Sequence, residues 1–323
     1  MRILFAAALT AFIVFRPASS AATRSTPPYK GVIAIDAATG EVLFEQNADA
    51  VSPPASMTKL MTYAVLWDLL QNHSLALDTR VTITREDARV GLLRDSTAVW
   101  LKQGEVFYVE ELIYAMMIQS ANDAAYALAH KAAGSVPAFV AMMNAKAREL
   151  GMHSTTFRTP HGFPPPSRRI SEGDLTTPRD YSLLCRYLVR HTDILKYTSV
   201  KTRAFGVGAR TQPVQMINHN NLLGRVAGVD GLKTGFTNGA GFCISATAER
   251  NGRRVIVVMM DSPDSRTRDL NVQELLTRCF ETVRLRGPLF EGAKAVPQEP
   301  TRPTPAPDTG PDSGAVIHYP GAR

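Results

Sequence analysis

The sequence predicts an α+β protein in which strands from both ends of the chain form one antiparallel sheet. β-rich runs occupy residues 32–45 and recur between residues 201 and 260, whereas the block from about 85 to 190 is mostly helical. The simplest assembly pairs an N-terminal hairpin with three C-terminal strands. Helices from the two ends of the chain then pack on this sheet, and a helical subdomain is inserted between them.

The first residues resemble a secretory signal peptide. Arg2 precedes an apolar run, Ile3–Phe15, which is followed by Arg16 and by small residues around Ala21. This order of charge, apolar run and small residues predicts cleavage of residues 1–21 and export to the periplasm or extracellular envelope. The alternative is an uncleaved N-terminal anchor, although thirteen apolar residues are fewer than a bilayer-spanning helix needs.

Composition excludes several classes of function. The 323 residues are 45% hydrophobic, as in a globular protein, and loss of Arg2 and Arg16 with the signal peptide lowers the net charge from +7 to +5. No cluster of Lys and Arg is interleaved with aromatic residues, so nucleic acid is not an expected partner. Three cysteines, Cys185, Cys243 and Cys279, have no zinc or haem spacing and are interpreted as core residues, so we expect no metal or cofactor.

The N-terminal hairpin and the first helix come first along the chain. Val32–Asp36 and Glu41–Glu45 are β-rich and are joined by a short turn that contains glycine. After two prolines, a long apolar run predicts a buried helix with Ser56 and Lys59 on one face of its first turn. A serine needs a base to become a nucleophile, and the lysine can serve if burial or a neighbouring cation lowers its pKa.

The remaining elements follow from periodicity and capping residues. After Arg80–Thr84, a short extended piece, apolar spacing predicts the middle helices, and Thr177 with the proline after it opens the last of them. The later strands and the final helix are expected at Lys201–Val207, Val229–Thr234, Gly241–Glu249, Val255–Met260 and Asp269–Leu285. Eight prolines then mark residues 286–323 as a flexible tail, which leaves residues 22–285 as the folded domain.

Two further short motifs carry chemistry. At a helix junction, Ser120 can pass on a proton and Asn122 can hold a carbonyl group, although a helix cap explains this segment equally. On a strand, Lys233 and Thr234 offer an ammonium and a hydroxyl group, and Gly235 lets a peptide lie against the strand edge. The alternative for this second segment is a strand end with exposed polar groups.

Ser-x-x-Lys, Ser-x-Asn and Lys-Thr-Gly follow one another in this order, each on the expected kind of element. The combination resembles the serine penicillin-binding proteins and β-lactamases, and most closely the low-molecular-mass D-alanyl-D-alanine carboxypeptidases. Further similar segments are found at residues 35–43, 54–59, 160–163 and 229–235, and the resemblance extends from Tyr29 to Leu285. It implies the β-lactamase/penicillin-binding transpeptidase-like fold, with the active site in the cleft between the sheet and the helical block.

The resemblance also implies the roles of individual residues. Ser56 would be the nucleophile, Lys59 its base and Ser120 the proton relay to the leaving amine. Backbone N–H groups of Ser56 and Phe236 would form the oxyanion hole. The substrate would be bound by Asn122, Lys233, Thr234, Gly235, Phe236 and Arg268, with Arg266 as an alternative to Arg268 for the terminal carboxylate.

The implied activity is removal of the terminal D-alanine from peptidoglycan stem pentapeptides through a Ser56 acyl-enzyme, with β-lactams as covalent inhibitors. The alternatives are a DD-endopeptidase, a β-lactamase and an inactive peptidoglycan-binding protein. Ala121 and a solvated Glu172 favour a carboxypeptidase over a β-lactamase, and His161 is interpreted as a structural loop residue. The sequence after residue 285 has no amphipathic membrane helix of the kind many of these carboxypeptidases carry, so no membrane anchor is expected after signal cleavage.

Overall fold

The computed structural model describes residues 27–285, and its main element is a five-stranded antiparallel sheet. The strands are β1 (Gly31–Asp36), β2 (Val42–Gln46), β7 (Val229–Thr237), β8 (Gly241–Arg250) and β9 (Arg253–Ser262). Their order is β2-β1-β9-β8-β7. The predicted pairing of the N-terminal hairpin with three C-terminal strands is therefore confirmed. The predicted signal peptide and C-terminal tail lie outside the described residues.

Helices pack on both sides of this sheet. Most of them lie in the part of the chain between strands β2 and β7. They are α1 (Lys59–Gln71), α2 (Arg85–Gly91), α3 (Val109–Tyr114), α4 (Asn122–Ala133), α5 (Val136–Glu149), α6 (Pro178–His191), α7 (Leu195–Thr198) and α8 (Ser265–Leu285). Within residues 27–285, none of these helices combines the length and the apolar character needed to cross a membrane.

Alternation along the strands divides the protein core between the two faces of the sheet. On β1, Ile33 and Ile35 belong to the cluster that includes α1 and α6, whereas Val32 and Ala34 belong to the cluster under α8. Because successive side chains of a strand point to opposite faces, one fully buried strand serves both clusters. The prediction that the first and last helices pack on the sheet agrees with this arrangement, and α6 also packs against β1 and β9.

Two small hairpins lie outside the main sheet. The first pairs β3 (Arg80–Thr82) with β4 (Val106–Tyr108), and the second pairs β5 (Thr202–Phe205) with β6 (Val214–Ile217). The sequence indicated the first strand of each hairpin but not the second. Strands of three or four residues contain too few positions for a clear alternation of polar and apolar side chains.

The helical part contains two helices that we did not predict, α2 and the short α7. Helix α2 begins at a reciprocal cap, in which the Thr84 side chain accepts a hydrogen bond from the Asp87 backbone N–H and the Asp87 carboxylate accepts one from Thr84. The predicted cap of α6 is present, because the Thr177 hydroxyl accepts a hydrogen bond from the Asp180 N–H at 3.1 Å. All three cysteines are buried and unpaired, as expected of core residues.

Candidate active site

Ser56, the predicted nucleophile, lies in a tight turn rather than inside the helix. A 3₁₀ turn, Ala55–Thr58, leads directly into α1, whose first residue is Lys59. The edge strand β7 packs against this turn so closely that a Cβ atom on Gly235 would lie 2.6 Å from the Pro54 carbonyl oxygen. Glycine at position 235 therefore lets the strand edge approach the backbone that carries the serine.

Lys59 is the centre of the polar contacts in the cleft. Its Nζ lies 3.1 Å from Oγ of Ser56, 2.7 Å from Oδ1 of Asn122 and 2.8 Å from the His161 carbonyl oxygen. A neutral amine has two N–H donors and one lone pair. The two carbonyl oxygens can accept those N–H groups, which leaves the lone pair for the hydroxyl proton of Ser56.

Burial and a second cation favour the neutral form of this amine. The Lys59 side chain is fully buried, and this burial lowers its pKa well below the usual value. The positive charge of Lys233 lowers it further, against the opposing effect of Asp123 and Asp174. Lys233 itself has a pKa of about 7, because it is buried and faces the charge of Arg268. Burial and the charge of Lys233 thus both favour the neutral amine that a lysine base requires.

Ser120 adopts a strained backbone conformation two residues before α4 begins. A π-helical turn, Ala115–Gln119, ends at this residue, which adopts a left-handed conformation with φ of 62°. Its hydroxyl oxygen is buried and has no hydrogen-bond partner among the described residues. A buried hydroxyl group in this state is ready to bond a substrate or to transfer a proton.

The far side of the cleft is cationic and buried. Lys233 is 3% exposed and Thr234 is 6% exposed on the edge strand β7. Arg268 is also 3% exposed; it donates to the Cys243 carbonyl oxygen at 3.3 Å and pairs with Asp269 at 2.7 Å. The neighbouring Arg266 side chain is exposed. This contrast favours Arg268 over Arg266 as the partner of a bound carboxylate.

His161 and Glu172, the two other titratable residues considered from the sequence, lie in different environments. His161 is buried, its pKa is lowered to about 3 by burial and by Lys59, and its ring accepts a hydrogen bond from the Phe163 N–H. It is therefore neutral, and its backbone carbonyl is the atom that contacts the lysine. Glu172 lies at the surface, where it pairs with Arg169 at 3.3 Å.

Sequence reasoning missed the carboxylate that anchors the segment before His161. Asp174 is buried and accepts hydrogen bonds from the Thr58 hydroxyl at 2.8 Å and from the Thr159 N–H at 3.0 Å. It thereby ties the end of the serine turn to the loop whose carbonyl contacts Lys59. A single aspartate in a loop gave no signal of this role, because its partners are distant in the sequence.

The family model described as peptidase S11, D-alanyl-D-alanine carboxypeptidase, matches residues 20–264. D-alanyl-D-alanine carboxypeptidase DacC of Escherichia coli is 38% identical over 257 residues, which are 78% of this chain and 62% of that relative. DacF of Bacillus subtilis is 29% identical over 267 residues, 83% of this chain and 66% of that relative. The chain thus spans just under two thirds of the length of these curated relatives.

Solved structures of penicillin-binding proteins share the fold. The ampicillin-bound penicillin-binding protein D2 of Listeria monocytogenes aligns with a TM-score of 0.67 at 33% identity, over 78% of this chain and 97% of that one. Penicillin-binding protein 5 of Haemophilus influenzae aligns with a TM-score of 0.72 at 29% identity, over 80% of this chain and 72% of that one. The expected fold class is confirmed, and the chain belongs to the D-alanyl-D-alanine carboxypeptidase family.

Proposed function

We propose that this protein is a serine D-Ala-D-Ala carboxypeptidase that removes the terminal D-alanine from peptidoglycan stem pentapeptides. The observation that carries the proposal is the contact between a buried lysine amine and the Ser56 hydroxyl, at 3.1 Å. A serine protease-like step requires such a base, and the cleft supplies it. The family supports the choice of substrate.

Acylation begins when Ser56 attacks the carbonyl carbon of the penultimate D-alanine. Lys59 takes the hydroxyl proton as the new C–O bond forms, and the C–N bond to the terminal D-alanine then breaks. Ser120 relays a proton to the departing amine. Water, activated by the same lysine, hydrolyses the ester, which releases the shortened stem and restores the serine.

Substrate binding uses the opposite side of the cleft. Thr234 and Arg268 hold the terminal carboxylate, and Asn122 holds a substrate amide group. Backbone N–H groups of Ser56 and Phe236 stabilise the oxyanion; one such donor contributes about 3–4 kcal/mol to transition-state binding in other enzymes. The edge position of β7 supports this role, because an edge strand offers unpaired backbone groups to a bound peptide.

We propose that the protein acts in the cell envelope. Residues 1–21 direct export, residues 22–285 form the catalytic domain, and residues 286–323 are a proline-rich extension. The net charge of +5 after loss of the signal peptide suits a location among anionic envelope polymers.

Labelling with a fluorescent penicillin tests the nucleophile. We expect one covalent label per native molecule, and no label on Ser56→Ala, because the β-lactam carbonyl is attacked by the same hydroxyl group. Equal labelling of the two proteins, or none of the native one, would remove Ser56 as nucleophile. Rapid turnover of the penicillin would instead indicate a β-lactamase.

Mass spectrometry of purified peptidoglycan identifies the natural bond. We expect loss of a single D-alanine from pentapeptide stems and no change in cross-linked dimers. Cleavage of the dimers would identify an endopeptidase, which uses the same residues. A labelled protein that alters neither product would be a peptidoglycan-binding protein without peptidase activity.

A further inference from the structure

Trp100 exposes a large aromatic ring close to the candidate active site. The chain has two tryptophans. Trp67 is partly buried and packs against the core, whereas Trp100 is 53% exposed. The residues on either side of it, Val99 and Leu101, are both buried. The segment is therefore anchored on each side of a residue whose ring lies in solvent.

The backbone of Trp100 is held in an unfavourable conformation. Its φ of 52° lies in the left-handed region, which a bulky residue rarely adopts. The buried carboxylate of Asp123 accepts hydrogen bonds from the N–H groups of Val99 and Leu101, at 3.3 Å and 3.0 Å. From the other side, Arg210 donates to the carbonyl oxygens of Val99 and Trp100, at 2.7 Å and 3.1 Å. These four hydrogen bonds fix the backbone, and with it the exposed position of the ring.

Both anchoring side chains are themselves firmly held. Asp123 is fully buried, and burial raises the pKa of its carboxyl group against backbone hydrogen bonds that lower it. Arg210 pairs with Glu105 at 2.6 Å and lies over the Phe107 ring, 5.3 Å from its centroid. A single exposed apolar side chain needs no explanation by itself. A strained backbone fixed by two such anchors does, because strain of this kind is concentrated at functional sites.

The loop that carries Trp100 is bonded directly to the residue that holds the substrate in the proposed function. The Asn122 N–H donates to the Thr97 carbonyl oxygen at 2.8 Å, and the Asn122 side chain donates to Oγ of Ser96 at 3.0 Å. The next residue, Asp123, bonds both neighbours of Trp100. Since the Asn122 side chain lies in the cleft, Trp100 lies at the rim of the cleft, on its helical side.

A peptidoglycan stem continues beyond the cleft into a sugar. The attacked carbonyl belongs to the fourth residue of a pentapeptide stem, and the first residue is attached to an N-acetylated sugar of the glycan strand. Four extended residues span about 13 Å, so the sugar lies outside the cleft at its rim. The axial C–H groups of a pyranose form an apolar face, which packs against the electron-rich face of an indole ring.

We infer that Trp100 is a binding platform for the glycan strand of peptidoglycan, on which an N-acetylated sugar ring stacks while the attached stem occupies the cleft. The inference rests on the proposed function, since it adds a contact with the polymer to that substrate. A tryptophan suits this ligand because it offers a large, flat apolar surface and has only two side-chain torsions to fix. The protein should therefore prefer stems that are attached to sugar over free peptides of the same sequence.

Fluorescence tests sugar binding without catalysis. In Trp67→Phe, Trp100 is the one remaining tryptophan, and the trisaccharide of N-acetylglucosamine serves as the probe. We expect the emission to move to shorter wavelength and to saturate in the millimolar range, because the stacked sugar removes water from the indole ring. An emission spectrum that stays unchanged up to the solubility limit of the trisaccharide overturns the inference.

The ratio of two activities tests the effect on the reaction. We compare kcat/KM for D-alanine release from a disaccharide pentapeptide and from the free pentapeptide of the same sequence. The native protein should favour the disaccharide form by about threefold to tenfold, the size of one aromatic stacking contact. In Trp100→Leu this ratio should fall towards one, and in Trp100→Phe, which keeps an aromatic face, most of it should return.

Tyr108→Leu is the matched control. Tyr108 on β4 is as exposed as Trp100, but its φ of −77° is unstrained, and we expect its replacement to leave the ratio unchanged. Because the ratio is taken within each protein, differences in the active fraction cancel. A thermal melt reports whether each variant is folded.

The outcomes separate the inference from the proposed function. Equal kcat/KM for the two substrates in the native protein, or an unchanged ratio in Trp100→Leu, overturns the sugar platform and leaves the carboxypeptidase in place. An equal fall of the ratio in Tyr108→Leu also overturns it, because the effect is then not specific to Trp100. No release from either substrate overturns the proposed function and the inference that rests on it. A native preference that is lost only in Trp100→Leu supports the inference.

Discussion

Replacement of Lys233 by methionine should make the protein more stable and less active. The side chain is 3% exposed, and burial together with Arg268 lowers its pKa from 10.5 to about 7. A shift of this size corresponds to a folding cost of about 5 kcal/mol at pH 6, where the lysine must be charged in both states. Methionine keeps much of the aliphatic chain and removes that charge.

The pH dependence gives this prediction its sign. Between pH 7 and pH 10.5 the unfolded chain binds a proton that the folded chain does not, so the native protein gains stability as pH rises. The advantage of the variant should therefore shrink, from about 5 kcal/mol at pH 6 to about 2 kcal/mol at pH 9. Loss of the hydrogen bond from Nζ to the Thr234 carbonyl oxygen, at 3.1 Å, reduces both values by about 1 kcal/mol.

Urea unfolding at the two pH values measures the difference, and fluorescent penicillin measures the acylation rate. Lys131→Met on the exposed surface of α4 is the matched control, and it should change the unfolding free energy little at either pH. The reasoning fails if Lys233→Met is no more stable than the native protein at pH 6, or if its advantage is the same at pH 9.

Three further changes test other contacts in the cleft. Arg268→Gln should raise the pKa of Lys233, because it removes one of the two causes that lower this pKa. The alkaline limb of the plot of acylation rate against pH should then move above pH 7. An unmoved limb would contradict this. Asn122→Ala removes an acceptor 2.7 Å from the Lys59 amine, so acylation by penicillin should slow by at least about tenfold; a normal rate would show that the contact is dispensable. Gly235→Ala places a methyl group 2.6 Å from the Pro54 carbonyl oxygen, just before the turn that carries Ser56. It should lower the free energy of unfolding in urea by about 1–3 kcal/mol and slow acylation. An unchanged unfolding midpoint would refute the close packing.

The parts of the site that were predictable from sequence are those whose residues lie close together in the chain. Ser56 and Lys59 are three residues apart, so their proximity follows from a single helical turn. Their meeting with Asn122 and Lys233 was predicted only from the order of the three motifs and the resemblance they carry. Periodicity alone gives no information about contacts between residues so distant in the chain.

Backbone contacts and isolated side chains account for what was missed. The His161 carbonyl binds Lys59, but every residue has a carbonyl group, so no sequence pattern distinguishes this one. The reciprocal cap formed by Thr84 and Asp87 could have been predicted, because a threonine followed three residues later by an acidic residue is a known pattern at the start of a helix. The second strands of the small hairpins depend on tertiary pairing, which three or four residues do not encode.

The position of β1 has a consequence for how the chain folds. This strand lies between β2 and β9 in the sheet, and Gly31 pairs with Met260. Its inner partner is thus synthesised more than two hundred residues later. Sheets built from such distant pairs form slowly, because a long loop must close before the contacts are gained. The main sheet can be completed only after almost all of the domain has been synthesised, so the N-terminal hairpin stays without its sheet partner for most of the time that the chain takes to be made.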